Sequence, residues 1–186
     1  MSDPAGSESS RAVQMRLEFD QAFARPQAPE TPHLENLLAI RLGPKPYALR
    51  LSEIAGLFAD RSVTALPGDM PALLGIAGLR GTIVPVYDLA ALLGHGGTVG
   101  GHRWLALAAV AASGASVGVA FPTLDGHLRI PFDDIVAHDG TAADARQYVR
   151  HFARIGQAAR PIVDLAAVLD AIRRQASAYA NGEKLG

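Results

Sequence analysis

From Leu34 onward the chain is a succession of short apolar runs broken by glycine, proline and charged residues, a pattern that predicts strands rather than long helices. Residues 37–42 form a strand, Gly43-Pro44-Lys45-Pro46 a turn, and residues 47–51, alternating Tyr47, Leu49 and Leu51 with Ala48 and Arg50, the second arm of a hairpin. Residues 52–58 carry Ile54, Leu57 and Phe58 and either extend that arm or form a bent strand. A short strand at 63–66 stops at Pro67-Gly68. Residues 75–79 and 82–87 are two strands joined at Arg80-Gly81. The plan then repeats with strands at 104–110, 117–121, 124–130 and 148–155, a turn at Ser113-Gly114, a polar loop over 133–145, and a turn over 157–160 leading into a strand at 161–163. So many short strands argue for small barrels or sandwiches and against a parallel sheet.

An internal repeat runs through this pattern. Pro85-Val86-Tyr87-Asp88-Leu89-Ala90-Ala91-Leu92-Leu93 is answered by Pro161-Ile162-Val163-Asp164-Leu165-Ala166-Ala167-Val168-Leu169. Each copy is a β-branched run that meets an aspartate followed by good helix formers. Asp88 and Asp164 are therefore expected as helix caps, their carboxylates accepting from the free N–H groups of the first turn and suiting the positive end of the helix dipole. A short helix at 89–93 and a C-terminal helix running to about 179 follow. A duplicated strand, cap and helix implies two similar subdomains. Five glycines between Gly94 and Gly101 mark a flexible crossing between the halves, near 94–103.

Ahead of the globular part, residues 1–10 are a polar Ser/Gly/Pro/acid mixture. Residues 11–24 hold Val13, Leu17, Phe19 and Phe23 at the spacing of a short amphipathic helix, and residues 25–33, with Pro26, Pro29 and Pro32, are an extended linker. The expected organisation is a flexible extension over 1–33, a domain over 34–176 and a tail over 177–186. Composition agrees with a globular core: 49% of the 186 residues are hydrophobic and 19% charged. A formal net charge of -1 supplies no general attraction to nucleic acid or to an anionic membrane. Cysteine is absent, which removes disulfides and thiolate chemistry, and no apolar run has the ~18 residues of a membrane span, so the expected location is cytoplasmic.

Candidate chemistry is sparse. The six histidines show no metal-ligand spacing and are read as loop or surface groups; no nucleophile sits on an elbow; and the glycines at 94–101 lack the Lys-Ser/Thr of a phosphate loop. No enzyme, metal or cofactor is expected. Arg146, Arg150 and Arg154 share one face and make a modest basic patch or a solvated one. Arg80 stands apart on a tight turn between Gly78 and Gly81, where its guanidinium has two open uses: bonding local carbonyls, or recognising a partner's carboxylates or carbonyls.

Leu38-Ala39-Ile40-Arg41-Leu42-Gly43, Tyr47-Ala48-Leu49-Arg50-Leu51 with Ile54, Leu66-Pro67, and above all the run from Gly75 through Gly78-Leu79-Arg80-Gly81 to Pro85-Val86-Tyr87-Asp88-Leu89 resemble the CheW family of chemotaxis coupling proteins. Val117-Gly118-Val119-Ala120-Phe121 and residues 161–165 continue the likeness, which covers about residues 37–172. The resemblance implies a mainly β fold of two small SH3-like, five-stranded β-barrels in pseudo-twofold relation, with short capping helices and a C-terminal helix. It implies a non-catalytic scaffold that couples the cytoplasmic tips of methyl-accepting chemoreceptors to a CheA-type histidine kinase, without nucleic acid or direct membrane insertion, recruited to membrane receptor arrays. By position, Arg80 matches the family's receptor-contact arginine, Ile54 an apolar position in the receptor groove, and Gly56 a kinase-facing position where a Glu is usual. Gly78 replaces the usual Asn, and Pro122-Thr123 the usual Val-Asp, where a proline is expected to disturb strand pairing. The competing readings are a divergent adaptor for another pathway, such as surface motility, and a small β-barrel that binds a ligand or nucleic acid.

Overall fold

The computed structural model describes residues 33–67, 70, 72–96, 101–109, 116–137 and 147–182. The helix expected in 11–24, most of the linker, the turn at 113–114, Arg146 and the middle of the glycine-rich stretch lie outside those residues. Among the described residues the chain runs through β1 (Leu34–Leu42), β2 (Lys45–Arg50), β3 (Ile54–Ala59), β4 (Leu73–Leu79), β5 (Thr82–Asp88), α1 (Leu89–Leu92), β6 (Trp104–Ala109), β7 (Ser116–Phe121), β8 (Thr123–Pro131), β9 (Ile135–Ala137), β10 (Val149–Ile155), β11 (Ala158–Val163) and α2 (Leu165–Gly182).

Two sheets result, one in the order β8-β1-β2-β11-β10-β9 and the other in the order β3-β6-β7-β5-β4. Leaving aside β9, the two orders correspond strand for strand, with β1 and β2 in the places of β6 and β7, and β10 and β11 in the places of β4 and β5. The edge strands are exchanged: β3 follows β2 in sequence but pairs with β6, and β8 follows β7 but pairs with β1. The chain therefore crosses between sheets at the 3-10 turn Leu51–Glu53 and at Pro122, whereas the glycine-rich stretch expected to cross only joins α1 to β6 within the five-stranded sheet's own sequence.

The duplication extends to the register. Leu73 pairs with Tyr87 and Gly75 with Val86; Val149 pairs with Val163 and His151 with Ile162; both ladders shift after the first pair. Each sheet also contains one parallel pair, β5 with β7 and β11 with β2, in otherwise antiparallel surroundings. Pro85 and Pro161 stand one residue ahead of the first parallel pair, where a missing N–H leaves the parallel ladder intact.

Burial follows the same division. Ala77, Leu79, Val84, Val86, Leu105, Leu107 and Ala120 form a core belonging to the five-stranded sheet. Leu37, Ala48, Ile130, Ala153 and Ile162 form its counterpart in the six-stranded one. A larger cluster, including Ile40, Leu49, Phe121, Leu89 of α1 and Leu165 and Val168 of α2, joins both sheets and both helices. β1 is buried on both faces because it serves one core with Leu37 and the shared core with Leu38 and Ile40.

Several expectations need correction. Pro122 disturbs no ladder, since it occupies the bend between β7 and β8 and both strands pair along their length on either side of it. The expected polar loop at 133–145 begins with a 3-10 turn, Phe132–Asp134, that bends the chain into β9 and adds a sixth strand to that sheet. The expected strand at 63–66 reduces to a single bridge, Thr64 with Ile76. β11 starts at Ala158, which shortens the expected turn at 157–160. α2 continues to Gly182, through residues read as tail.

Candidate functional site

β3 is an edge strand, paired with β6 on one side only, so along its free side it presents backbone donors and acceptors in the manner that invites pairing with a partner. Its residues alternate half-buried and exposed: Ile54, Gly56 and Phe58 turn inward, and Ala55, Leu57 and Ala59 outward. Ile54, Ala55, Gly56 and Leu57 line, with Leu38 and Leu51, a cavity of about 210 Å³ whose side chains are all apolar. Leu51 and Leu57 are among the exposed large hydrophobic residues.

Arg80 reaches this strand from the opposite edge of the sheet. The β4–β5 loop is the two-residue turn Arg80-Gly81, with φ of 51° and 78°, the left-handed pair of a type I′ hairpin. A non-glycine residue in that conformation costs about 1–2 kcal/mol. The guanidinium carbon lies 5.7 Å from the centre of the Phe58 ring, in cation–π range. A Cβ on Gly56 would stand 3.3 Å from Arg80 Nη2 and 3.0 Å from the Phe58 ring, so the glycine is what allows the guanidinium to lie across β3. Ile54 and Gly56 thus share β3, and Arg80 is brought from the β4–β5 turn against Gly56. Arg61 adds a second guanidinium, 5.6 Å from the same ring. Neither Phe58 nor Arg61 carried a sequence signal, because a phenylalanine in a strand reads as core and a lone arginine as surface.

Asp88 and Asp164 lie at the helix starts. Asp88, 4% exposed, accepts from the N–H groups of Ala90 at 2.8 Å and Ala91 at 3.4 Å, and its other oxygen is 3.2 Å from His102 Nε2. Asp164 accepts from Ala167 N–H at 2.9 Å and pairs with Arg150 at 2.9 Å. Even the backbone repeats, Asp88 N–H donating to the Ala72 carbonyl and Asp164 N–H to that of Tyr148. Glu53, which the sequence reading passed over, accepts from Leu165 N–H at 3.2 Å and so contributes a second carboxylate to the start of α2. Burial pushes its carboxyl pKa up, against the lowering effect of that N–H and of Arg50.

Of the candidate basic patch, Arg150 is paired with Asp164 and Arg154 stands 3.9 Å from Asp134, which leaves little free charge there. His95, read as a loop histidine, contacts Tyr47 and Lys45 of β2.

A family model described as the CheW-like domain matches residues 36–173. The chain belongs to the CheW-like domain family. A probable chemotaxis protein CheW of Rhizobium etli is 33% identical over 58 residues, covering 31% of this chain and only 37% of that relative's own length. The crystal structure of the scaffolding protein TtCheW from Thermoanaerobacter tengcongensis is similar in fold, with a TM-score of 0.63 at 20% identity over 73% of this chain and 92% of that one. The CheW-like match begins in β1 and ends in α2, so it takes in both sheets and every site residue named above. No helix among the described residues is long and apolar enough to cross a membrane.

Proposed function

We propose that this CheW-like chain is a non-catalytic chemotaxis adaptor that couples the cytoplasmic tip of a chemoreceptor to a CheA-type histidine kinase. The observation that carries this reading is the apolar cavity that Ile54 and Gly56 line on the edge strand β3, with the Arg80 guanidinium lying against Gly56 and Phe58 of the same strand. An edge strand supplies backbone pairing, the cavity accepts an apolar side chain, and the guanidinium adds a directional polar contact. Such a surface binds and positions; it offers no nucleophile or proton relay. Fully burying a side chain the size of Ile54 against a partner contributes about 1.5–3 kcal/mol, enough to move affinity tenfold or more. The curated relative described above is named a probable chemotaxis protein and the similar solved structure a scaffolding protein, which supports the same role.

The test is capture of a receptor cytoplasmic-tip fragment and of the kinase's regulatory domain by the purified chain. Ile54→Asp and Arg80→Ala are expected to weaken receptor capture while the circular dichroism spectrum stays that of the native chain. Unchanged receptor binding by both variants overturns the assignment of the β3 edge. Failure of the native chain to bind either fragment overturns the adaptor reading itself.

A further inference from the structure

A cleft of about 910 Å³ opens where three separate stretches of chain meet: the β1–β2 turn, α1 with the residues after it, and the bend between β7 and β8. Leu42, Ala90 and Pro122 give it apolar walls, and Lys45, His95 and Thr123 its polar side chains. A space of this size is in the range of sites that hold small molecules. It shares no lining residue with the cavity beside β3.

The duplicated unit shows why the space is open. After Leu169 the second copy continues as helix, and its Ala171 and Ile172 are 8% and 4% exposed in the shared core. The same positions in the first copy are His95 and Gly96, beyond the end of α1 at Leu92. Gly94 and Gly96 are left-handed there, with φ of 73° and 74°, and among the described residues nothing beyond their chain neighbours lies within 4 Å of where a Cβ would stand on either. One copy therefore buries these positions, and the other leaves them lining a cleft.

Charge in the cleft is one-sided. Among the described residues its lining holds one ammonium and no carboxylate. Lys45 makes no ion pair with any of them; its Nζ rests 3.3 Å from His95 Nδ1, and His95 Nε2 is 2.6 Å from Tyr47 Oη. Asp125, two residues beyond Thr123, is already shared by Arg41 at 3.3 Å and Arg160 at 3.2 Å. An ammonium has three N–H donors, and the imidazole takes one of them. The remaining donors border the cleft without a counter-charge from the described residues.

We propose that this cleft binds a small organic anion, whose carboxylate or phosphate pairs with the Lys45 ammonium while its apolar body lies against Leu42, Ala90 and Pro122. A lysine acts as a point charge and serves either group, so the shared chemistry is one negative group on a compact apolar body. The bound anion offsets the positive charge that bears on His95 and so favours the protonated imidazole. The site is distinct from the β3 edge and does not depend on the adaptor reading.

The experiment is an NMR titration of the full chain, at constant ionic strength, with benzoate, phenyl phosphate and the neutral benzamide. It follows the His95 imidazole, whose pKa burial and then Lys45 hold below 6.5 in the free protein, together with the backbone signals of Lys45 and Thr123. The anions are expected to move these signals and to raise the His95 titration, and benzamide to do neither. Binding of benzoate alone assigns the site to carboxylates, and of phenyl phosphate alone to phosphates. Lys45→Met and Lys45→Gln, each checked for a native melting temperature, should weaken binding about tenfold, the loss of one hydrogen bond to a charged group, whereas Lys45→Arg should retain it. Signals unmoved by both anions, or moved as strongly by benzamide, overturn the proposal. So does undiminished anion binding by either folded variant that lacks the charge.

Discussion

Tyr47 Oη and His95 Nε2 lie 2.6 Å apart, joining β2 of the six-stranded sheet to the residues that follow α1 on the five-stranded side. Lys45 Nζ is 3.3 Å from His95 Nδ1. An ammonium can only donate, so Nδ1 accepts, Nε2 carries the hydrogen, and the imidazole is neutral. A second proton would set donor against donor at Lys45. Burial first, and the Lys45 charge second, accordingly hold the His95 pKa below its ordinary value of 6.5.

The sign of the pH effect follows. The unfolded chain takes up its proton at the ordinary value and the folded chain only at a lower one. The contribution of this contact is therefore complete above 6.5 and is lost as pH falls through the depressed value. His151 shifts the same way, by burial and then by Arg50. The stability curve alone therefore adds the two, and the decisive measurement is the NMR titration of each imidazole. His95 is expected to titrate below 6.5, and Lys45→Met, which removes the second cause, to raise that titration. An unmoved His95 titration in Lys45→Met would refute the part given to the Lys45 charge.

The two caps make a matched pair for mutagenesis. Asp88→Ala and Asp164→Ala should each cost about 1 kcal/mol, the usual loss for a capping side chain. Asp88→Ala should be the costlier, because Asp88 is 4% exposed and the Ala90 N–H it would leave bare is buried away from water, whereas the Ala167 N–H bound to Asp164 is only partly buried. Asp164 is backed up by Glu53, whose carboxylate already accepts from Leu165 N–H. Urea denaturation of the two variants, and of Asp164→Ala with Glu53→Gln, measures this: the combination should cost more than the sum of its parts.

The sequence disclosed the duplicated unit because its signals are local: a β-branched run, a capping aspartate and a helix former sequence sit within nine positions of each other in each copy. The exchange of β3 and β8 left no such mark, since strand pairing over long sequence separation is written only in which apolar faces match. β9 was missed for a related reason; Ile135 and Val136 stand beside two aspartates and the run is too short to alternate. Arg80 was legible from its turn glycines, but Gly56 acquired a physical meaning only when Arg80 and Phe58 were found above it. The role of His95 depends on Tyr47 in a distant strand, which no spacing rule reports.

Gly75 shows where the two copies diverge by necessity. It occupies the position taken by His151 in the second ladder, yet its φ is 141° and an added Cβ would collide with the Thr64 carbonyl. Thr64 and Ile76 exchange backbone hydrogen bonds at 2.8 Å and 2.9 Å there, so the segment after β3 passes closer to β4 than a side chain permits. Gly75→Ala should cost about 3 kcal/mol, from the backbone conformation and the overlap together. Thermal unfolding checks it, with Gly78→Ala, where nothing lies within 4 Å of the new atom, as the mild control.

Arg80→Gly and Gly56→Ala separate folding from docking in opposite ways. Glycine relieves the left-handed strain at position 80, worth about 1 kcal/mol, so Arg80→Gly should be as stable as the native chain or slightly more so. It nevertheless removes the guanidinium and should weaken receptor capture as much as Arg80→Ala does. Gly56→Ala keeps the guanidinium but places a Cβ 3.0 Å from the end of the Phe58 ring and 3.3 Å from Arg80 Nη2, so both side chains must move. Because the atoms it meets are the far ends of side chains, the loss of stability should stay near or below about 1 kcal/mol. Receptor binding should fall all the same, since the displaced guanidinium no longer lies over β3. Melting temperature and titration with the receptor fragment, measured on the same preparations, decide the matter. Stable variants that bind like the native chain would show that the position of Arg80 over β3 has no part in docking.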